Sequence, residues 1–301
     1  DWLKVLSEKK REKLSLKKNK GKSTLDNNGT WPQIGYLARV YLRTGLDRYA
    51  DVAIRGIEYI LRHQRKTGGW RGWDVNAITF NDNVMSGVLK TLREVVHNRR
   101  LYSFVDEELL KKVRNAYAKG LDCVLKCQIT VDGRLTAWCQ QHSHKTLKPV
   151  RGRSYEPAAI VTAESVGVVR FLMSIEDPSP RVVKAIQSAV KWFDRVKIKG
   201  VRIKKVKAKP VKFRHHWCDF DRVKVEDPDA PPIWARFYDL KTEKPIFCNR
   251  NGDRTDDYME VHRERRTGYS WYGYYSASLL EKEYPRWQKI NVPGRNILSE
   301  E

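Results

Sequence analysis

The feature that most restricts the fold of this chain is an internal repeat. Gly56-Ile57-Glu58-Tyr59-Ile60-Leu61-Arg62-His63-Gln64 aligns with Gly120-Leu121-Asp122-Cys123-Val124-Leu125-Lys126-Cys127-Gln128, 64 residues further on. A looser third copy, residues 188–197, follows at about the same interval. All three have helical apolar spacing, and each follows an acidic or proline-marked loop such as Glu176-Asp177-Pro178-Ser179-Pro180. Between them lie three further helical patterns, starting near Trp31, Val84 and Ala163. Self-similarity at so long a period implies helical hairpins that bury their faces on neighbouring hairpins. Three hairpins wound in one sense make a ring. The expected fold is therefore mainly α, an (α/α)3 toroid-like barrel with small β hairpins at one rim.

In such a ring the alternate helices all start at one end, and the loops before them converge. Those loops are Ser23-Thr24-Leu25-Asp26-Asn27-Asn28-Gly29-Thr30, Thr79-Phe80-Asn81-Asp82-Asn83 and Arg151-Gly152-Arg153-Ser154-Tyr155-Glu156. Asp26, Asp82 and Arg153 should then share one mouth. Two glycine-rich loops, Thr67-Gly68-Gly69-Trp70-Arg71-Gly72-Trp73 and Val131-Asp132-Gly133-Arg134-Leu135, should line it as turns or short strands. From residue 200 the pattern alternates, predicting exposed strand over Val201 to Pro210, a turn-rich linker at residues 227–232, and strand again from Ile233 to Leu240. A last helix is expected over Tyr274 to Lys282. Residues 1–22 are Lys-rich and predict a basic helical or flexible segment. Residues 23–301 form the helical domain, with a strand-rich, arginine- and aromatic-rich part at about 200–272.

The formal charge of +23 calls for a polyanionic partner, and nucleic acid, heparin-like glycans and polyuronates all satisfy the sign. Recognised nucleic-acid modules are missing, so that partner ranks last. No apolar run approaches the roughly 18 residues of a membrane span. Five cysteines are too few for a disulfide scaffold, and Cys123 and Cys127, four apart on a helix, read as buried free thiols. His142, His144, His215 and His216 lack metal-motif spacing and read as surface or supporting residues. There is no GxSxG, P-loop or GxGxxG after a strand, which leaves serine-nucleophile and nucleotide chemistry without support.

What remains is carboxylates, arginines and aromatics. Asp26 and Asp82, each beside asparagine, offer oxygen ligands for a hard cation such as calcium, or else serve as helix N-caps. Arg236, Arg250, Arg265 and Arg266 lie among aromatic residues that include Tyr238 and Tyr272. Planar guanidiniums grip carboxylates in pairs of hydrogen bonds, and aromatic faces suit sugar rings.

Several of these motifs occur together and in order: Thr24-Leu25-Asp26-Asn27, Ile78-Thr79-Phe80-Asn81-Asp82, residues 131–139, Arg153-Ser154-Tyr155-Glu156, Ala163-Glu164-Ser165-Val166-Gly167 and Trp234-Ala235-Arg236-Phe237-Tyr238-Asp239-Leu240. This set resembles the family 10 pectate lyases over roughly residues 23 to 287. The resemblance implies a toroid-like α/α fold and calcium-assisted β-elimination of polygalacturonate, giving 4,5-unsaturated oligogalacturonides. It assigns Arg153 as the catalytic base, and Asp82 with Asp26 as calcium ligands. Asn27 sits with them at the cation and substrate site. Substrate-binding roles fall to Arg236, Arg250 and Arg265, with Tyr238 and Tyr272 as the aromatic contribution. It also implies a monomer that is secreted, periplasmic or on the cell surface. Two departures stand out: the loop Gly68 to Trp73 is short, and Gln141-His142 is followed by Ser143-His144 rather than by an acidic residue. A non-catalytic polyuronate-binding relative, or a lyase for a modified or different polyuronate, is the alternative reading.

Overall fold

The computed structural model of the protein describes residues 23–292, so the Lys-rich expectation for residues 1–22 lies outside the described residues. Helices α1 (Trp31–Thr44) and α2 (Asp47–Arg62) pack as a hairpin, followed by α3 (Val84–His97) with α4 (Glu107–Cys127), and α5 (Thr162–Met173) with α6 (Pro180–Arg195). Their starts and stops follow from local chemistry. Pro32 and Pro180 occupy first turns, where a missing N–H costs nothing. Asp106 accepts the Leu109 N–H at 2.7 Å to cap α4, and Gly45, at φ 67°, turns the chain out of α1. On α2 the buried residues Ala50, Ala53, Ile57 and Ile60 recur every three or four positions, which gives one face to the core.

The repeat has a hydrogen-bonding meaning. After each second helix of a hairpin, a fully buried tryptophan donates its indole N–H to a carbonyl near that helix's end: Trp70 to Ile60, Trp138 to Val124 and Trp234 to Phe193, each at 2.8 Å. Four residues beyond the first two of these carbonyls stand the aligned glutamines. Gln64 donates to Gly68 O and to Ala116 O of α4, both at 2.8 Å. Gln128 donates to Thr136 O and to Ala185 O of α6, both at 2.9 Å. Each glutamine thus ties its own loop to the next hairpin.

The tryptophan loops also receive the strands that lead into the following helices. Thr79 N donates to Trp70 O, and Val161 N to Trp138 O. These strands pair in short antiparallel sheets, β1 (Ile78–Thr79) with β4 (Gln141–His142) and β5 (Ile160–Val161) with β9 (Phe237–Tyr238). Three more two-stranded sheets are equally small: β2 (Thr130–Val131) with β3 (Arg134–Leu135), β8 (Trp234–Ala235) with β12 (Tyr272–Gly273), and β10 (Phe247–Cys248) with β11 (Arg254–Thr255). A sixth, far longer, is the ribbon of β6 (Val201–Lys212) and β7 (Trp217–Glu226). A large core lies between the helices. A second, aromatic core of Tyr155, Phe237, Phe247, Tyr258 and Trp271 lies under the sheets.

The expected mainly α (α/α)3 toroid is overturned. The three hairpins are present, but the described residues are 44% helix and 17% strand, the class is mixed, and no closed barrel is found. A reason lies in the third repeat. Four residues past Phe193 O stands Lys197 instead of glutamine, and its ammonium pairs with Asp194 at 2.5 Å rather than reaching another helix. The flank of α6 meets the C-terminal turn Leu279–Glu283. The last helix also differs from expectation. A π turn at Leu279–Glu283 runs into α8 (Tyr284–Asn291), where Pro285 sits in the first turn, while α7 (Arg263–Gly268) is a short helix before β12. All five cysteines are free and buried, and none of the described helices is long and apolar enough to cross a membrane.

Replacing Gln128 with Leu should leave the buried carbonyls of Thr136 and Ala185 without their donor and cost roughly 2–4 kcal/mol in urea unfolding. Lys197→Ala at the matching place should cost about 1 kcal/mol at most, since it loses only a partly exposed ion pair. Equal costs would deny the glutamine its bridging role.

Candidate active site

The three expected loops do converge. Asp26 is buried, and its two carboxylate oxygens accept the N–H of Asn27 at 2.9 Å and of Trp73 at 2.8 Å. Gly72 lies so close that a Cβ there would sit 3.0 Å from the Asp26 carboxylate, which explains a glycine at that point in the short loop. Asp82 stands on the turn before α3 with φ 51° and ψ 28°, a left-handed conformation that costs energy in a non-glycine residue. Asn27, Asn28, Thr30 and Asn83 also have positive φ. Neither aspartate caps the helix after it: the N-cap positions of α1 and α3 are Thr30 and Asn83, and neither helix has a side-chain cap. The N-cap alternative is thereby removed for both.

The Asp82 carboxyl reports who its neighbours are. Its pKa is raised by burial first, then by the charges of Asp26 and Glu164 and by a hydrogen bond with Asp26, while Arg153 acts in the opposite sense. Glu164, in the first turn of α5, is the third acidic group of the patch. One of its oxygens accepts from Arg236 and from Gln140 Nε2 (2.8 Å for the latter); the other, Oε2, is buried without a hydrogen-bond partner. Gln140 and Arg236 stand two residues after Trp138 and Trp234, so the tryptophan anchors set their positions.

Arg153 is gripped by Glu156. Its backbone N and its Nε both donate to Glu156 Oε2 at 3.0 Å, and Nη2 donates to Oε1. The hydrogen bond and charge of Glu156 push the Arg153 pKa up, against burial. For Glu156 burial works upward, but the hydrogen bonds and charge of Arg153 prevail and hold the carboxyl below its usual range. Tyr269 donates its hydroxyl to Glu156 at 3.2 Å and lies under the Arg236 guanidinium, 4.8 Å from ring centre.

Arg250 and Arg265 both clamp Glu264, with Nη2 of Arg250 at 2.7 Å and Nε of Arg265 at 2.7 Å. The guanidiniums of Arg153, Arg250 and Arg265 surround the Tyr155 ring at 5.1, 5.4 and 4.6 Å, within the range of cation–π attraction. Arg265 is almost fully buried. Arg266, by contrast, turns away to Asp221 of the ribbon at 2.6 Å. Tyr238 is not brought to the site: it is buried against Trp192, and its hydroxyl donates to Val196 O at 2.9 Å. Tyr272 packs between Phe247 and Tyr258 in the aromatic core. His142 is buried and neutral in role, accepting from Cys139 N at 3.0 Å, and burial pushes its pKa down to about 4.

A family model described as pectic acid lyase matches residues 2–280. The chain belongs to that family. No curated protein matches it. Among solved structures it is similar to a family 10 polysaccharide lyase from Cellvibrio cellulosa, with TM-score 0.74 and 29% identity over 87% of this chain and 80% of that one. An aspartate-to-alanine mutant of that lyase, in complex with trigalacturonic acid, gives TM-score 0.74 and 28% identity, over 87% of this chain and 81% of that one. This pectic acid lyase family member is a polysaccharide lyase.

Glu156, Glu164, Glu264, Gln140, Tyr155 and Tyr269 carry much of the site, and the sequence reading gave none of them a role of its own. For Glu164 the signal was available. It opens the third helix of the alternating set, where Asp26 and Asp82 precede the first two.

Glu264 supplies a pH test. Burial works upward, but Arg250 and Arg265 hold its carboxyl at about 2, below the ordinary value of 4.5. Its contribution to stability should be complete above pH 4.5 and lost as pH falls towards 2. Urea midpoints of Glu264→Gln should therefore depend less on pH in that window than those of the parent. A parallel loss in both would deny Glu264 its share of acid sensitivity.

Proposed function

We propose that this lyase cleaves polygalacturonate by calcium-assisted β-elimination, with Asp26 and Asp82 as cation ligands and Arg153 as the base, releasing 4,5-unsaturated oligogalacturonides. The observation that carries the reading is that Asp82, at the entrance of the second hairpin, interacts with Asp26 from the first and with Glu164 and Arg153 from the third. The trigalacturonic acid complex of the similar lyase supports the substrate class.

The residues fit a hard cation. Among the described residues no ready cluster of three or more acidic, His or Cys groups holds a metal. Yet the charges of Asp26 and Glu164 both act on the Asp82 carboxyl, and Glu164 Oε2 is buried without a hydrogen-bond partner among the described residues. Two neighbouring carboxylates, with water and a uronate completing the shell, suit a calcium ion. When bound, the ion supplies neutralisation of the uronate carboxylate, which stabilises the charge that develops on it.

The chain's own groups do the remainder. Arg250 and Arg236 keep part of their side chains accessible and bind uronate carboxylates, and Asn27 adds an amide at the Asp26 side. Arg265, almost fully buried on Glu264, positions Arg250 and Tyr155 instead of meeting solvent. Elimination removes the proton on C5, forms the C4–C5 double bond and expels O4, which takes a proton from water. Arg153 accepts the C5 proton only as a neutral guanidine, and Glu156 opposes that state. The reaction is accordingly alkaline. Pectate lies outside cells, so its cleavage calls for a secreted, periplasmic or surface enzyme.

Polygalacturonate with calcium should give ultraviolet-absorbing unsaturated ends, and chelator should abolish them. No rise in absorbance between neutral and alkaline pH would remove the substrate assignment. Arg153→Ala should lower kcat by roughly 100- to 10,000-fold while polymer is still bound. Glu156→Gln removes the anion that keeps Arg153 protonated, so the alkaline rise of kcat/KM should move to lower pH. A profile that stays in place would reject Arg153 as the base.

A further inference from the structure

Outside the site, the most unusual surface is the β6–β7 ribbon. Residues 201–226 hold nine basic side chains against three acidic ones. Strand β6 has 12 residues, so it extends about 40 Å. It carries Arg202, Lys204, Lys205, Lys207, Lys209 and Lys212, all exposed, with no acidic residue among them. Arg202 pairs with Asp227 at 2.7 Å, and Lys205 lies 4.1 Å from the Phe220 ring centre. Among the described residues, Lys204, Lys207, Lys209 and Lys212 have no acidic partner. Across the ribbon Lys205 stands opposite Arg222, a like-charge pair that costs stability. Exposed lysines on an edge do discourage pairing with another chain, but one or two suffice for that.

The ribbon is also hydrogen-bonded to the segment that carries Arg265 and Tyr269. Arg222 donates to the carbonyls of Arg266 and Tyr269 at 3.3 Å, and Arg263 donates to Phe220 O at 2.9 Å and to Lys209 O at 2.8 Å. At its base, Ile203 and Arg222 join Tyr258, Tyr269, Tyr272 and Tyr274 around an open cavity of about 290 Å³. Tyr269 faces both ways, since its hydroxyl reaches Glu156 and Gln140 in the site. At the far end Trp217 is 61% exposed, next to the ribbon turn.

We propose that the β6–β7 ribbon, with the tyrosine-lined cavity at its base, is a second, non-catalytic binding surface for the polyuronate chain beyond the site. The inference rests on polygalacturonate being the substrate. Ammoniums without an acidic partner among the described residues, spread over both faces of the ribbon, meet the carboxylates of a polyuronate lying along it with release of the polymer's counterions, and the aromatic faces take sugar rings. A long chain held on the ribbon raises its local concentration at the site, whereas a short oligomer gains nothing from it.

The test uses the full chain with Lys204→Gln, Lys207→Gln, Lys209→Gln and Lys212→Gln combined. Retention on immobilised polygalacturonate should weaken, and the slope of log K against log salt should fall by roughly 3. KM for long polymer should rise while turnover of short oligogalacturonates stays unchanged, and the matching Lys→Arg set should bind like the parent. An unchanged salt slope, or a glutamine variant that merely aggregates while binding as before, would overturn the ribbon's role. Tighter binding of the parent to single-stranded RNA than to polygalacturonate would overturn the choice of polymer. Retention needs no turnover, so a protein that held polygalacturonate without cleaving it would refute the elimination chemistry and leave the ribbon standing.

Discussion

The structure depends on a hydrogen-bond clamp used again and again at the ends of helices. A helix leaves its last carbonyls without partners, and burying them bare is costly. Here a buried indole satisfies one near the end of α2, α4 and α6, and the loop that carries the indole is drawn over the helix terminus. Glutamine then extends the clamp sideways from hairpin one to two and from two to three. The third copy has a lysine in that place, which turns back on Asp194. One chemical difference in an otherwise repeated segment marks where the series of hairpins stops.

The site inherits its order from this clamp. Two residues past each tryptophan comes a group that meets the acidic patch: Gly72 against Asp26, then Gln140 and Arg236 on Glu164. The strands leading into α3 and α5 hydrogen-bond to the first two of these loops. Helix packing and active-site geometry are therefore not separable. The same buried tryptophans that stabilise the core decide how far apart the charged groups stand. Around the other side Tyr155 performs a comparable task, giving three guanidiniums one ring to gather on while Glu156 and Glu264 divide their charge.

Much of this was legible beforehand. The aligned glutamines, the period near 64 residues and the glycine-rich loops after the first two copies stated that hairpins repeat and that one end collects the loops. Periodicity does not state closure, because closing a ring depends on contacts between first and last elements that no local pattern encodes. Hence the toroid failed while its hairpins stood. Tyr238 misled for a related reason. Tyrosine beside arginine reads the same whether its hydroxyl faces a sugar or a helix carbonyl, and here it faces Val196 O. Glu156 and Glu264 escaped notice because a glutamate near an arginine is ordinary in a chain with 32% charged residues. Their burial and shared partners arise only in three dimensions.

The pairing of Arg153 with Glu156 follows from the same economy of charge. An arginine left alone beside Arg250 and Arg265 would be repelled from the Tyr155 ring, and a carboxylate as buried as Glu156 would be expelled from the core without a cation. Each needs the other in the resting protein. A polyuronate bound as proposed would bring carboxylates of its own, and these would add to Glu156 and Glu264, which stay tethered in the chain on their arginines. Because Glu156 and Glu264 already hold Arg153, Arg250 and Arg265 in place, the guanidiniums need little reorganisation when a further anion binds.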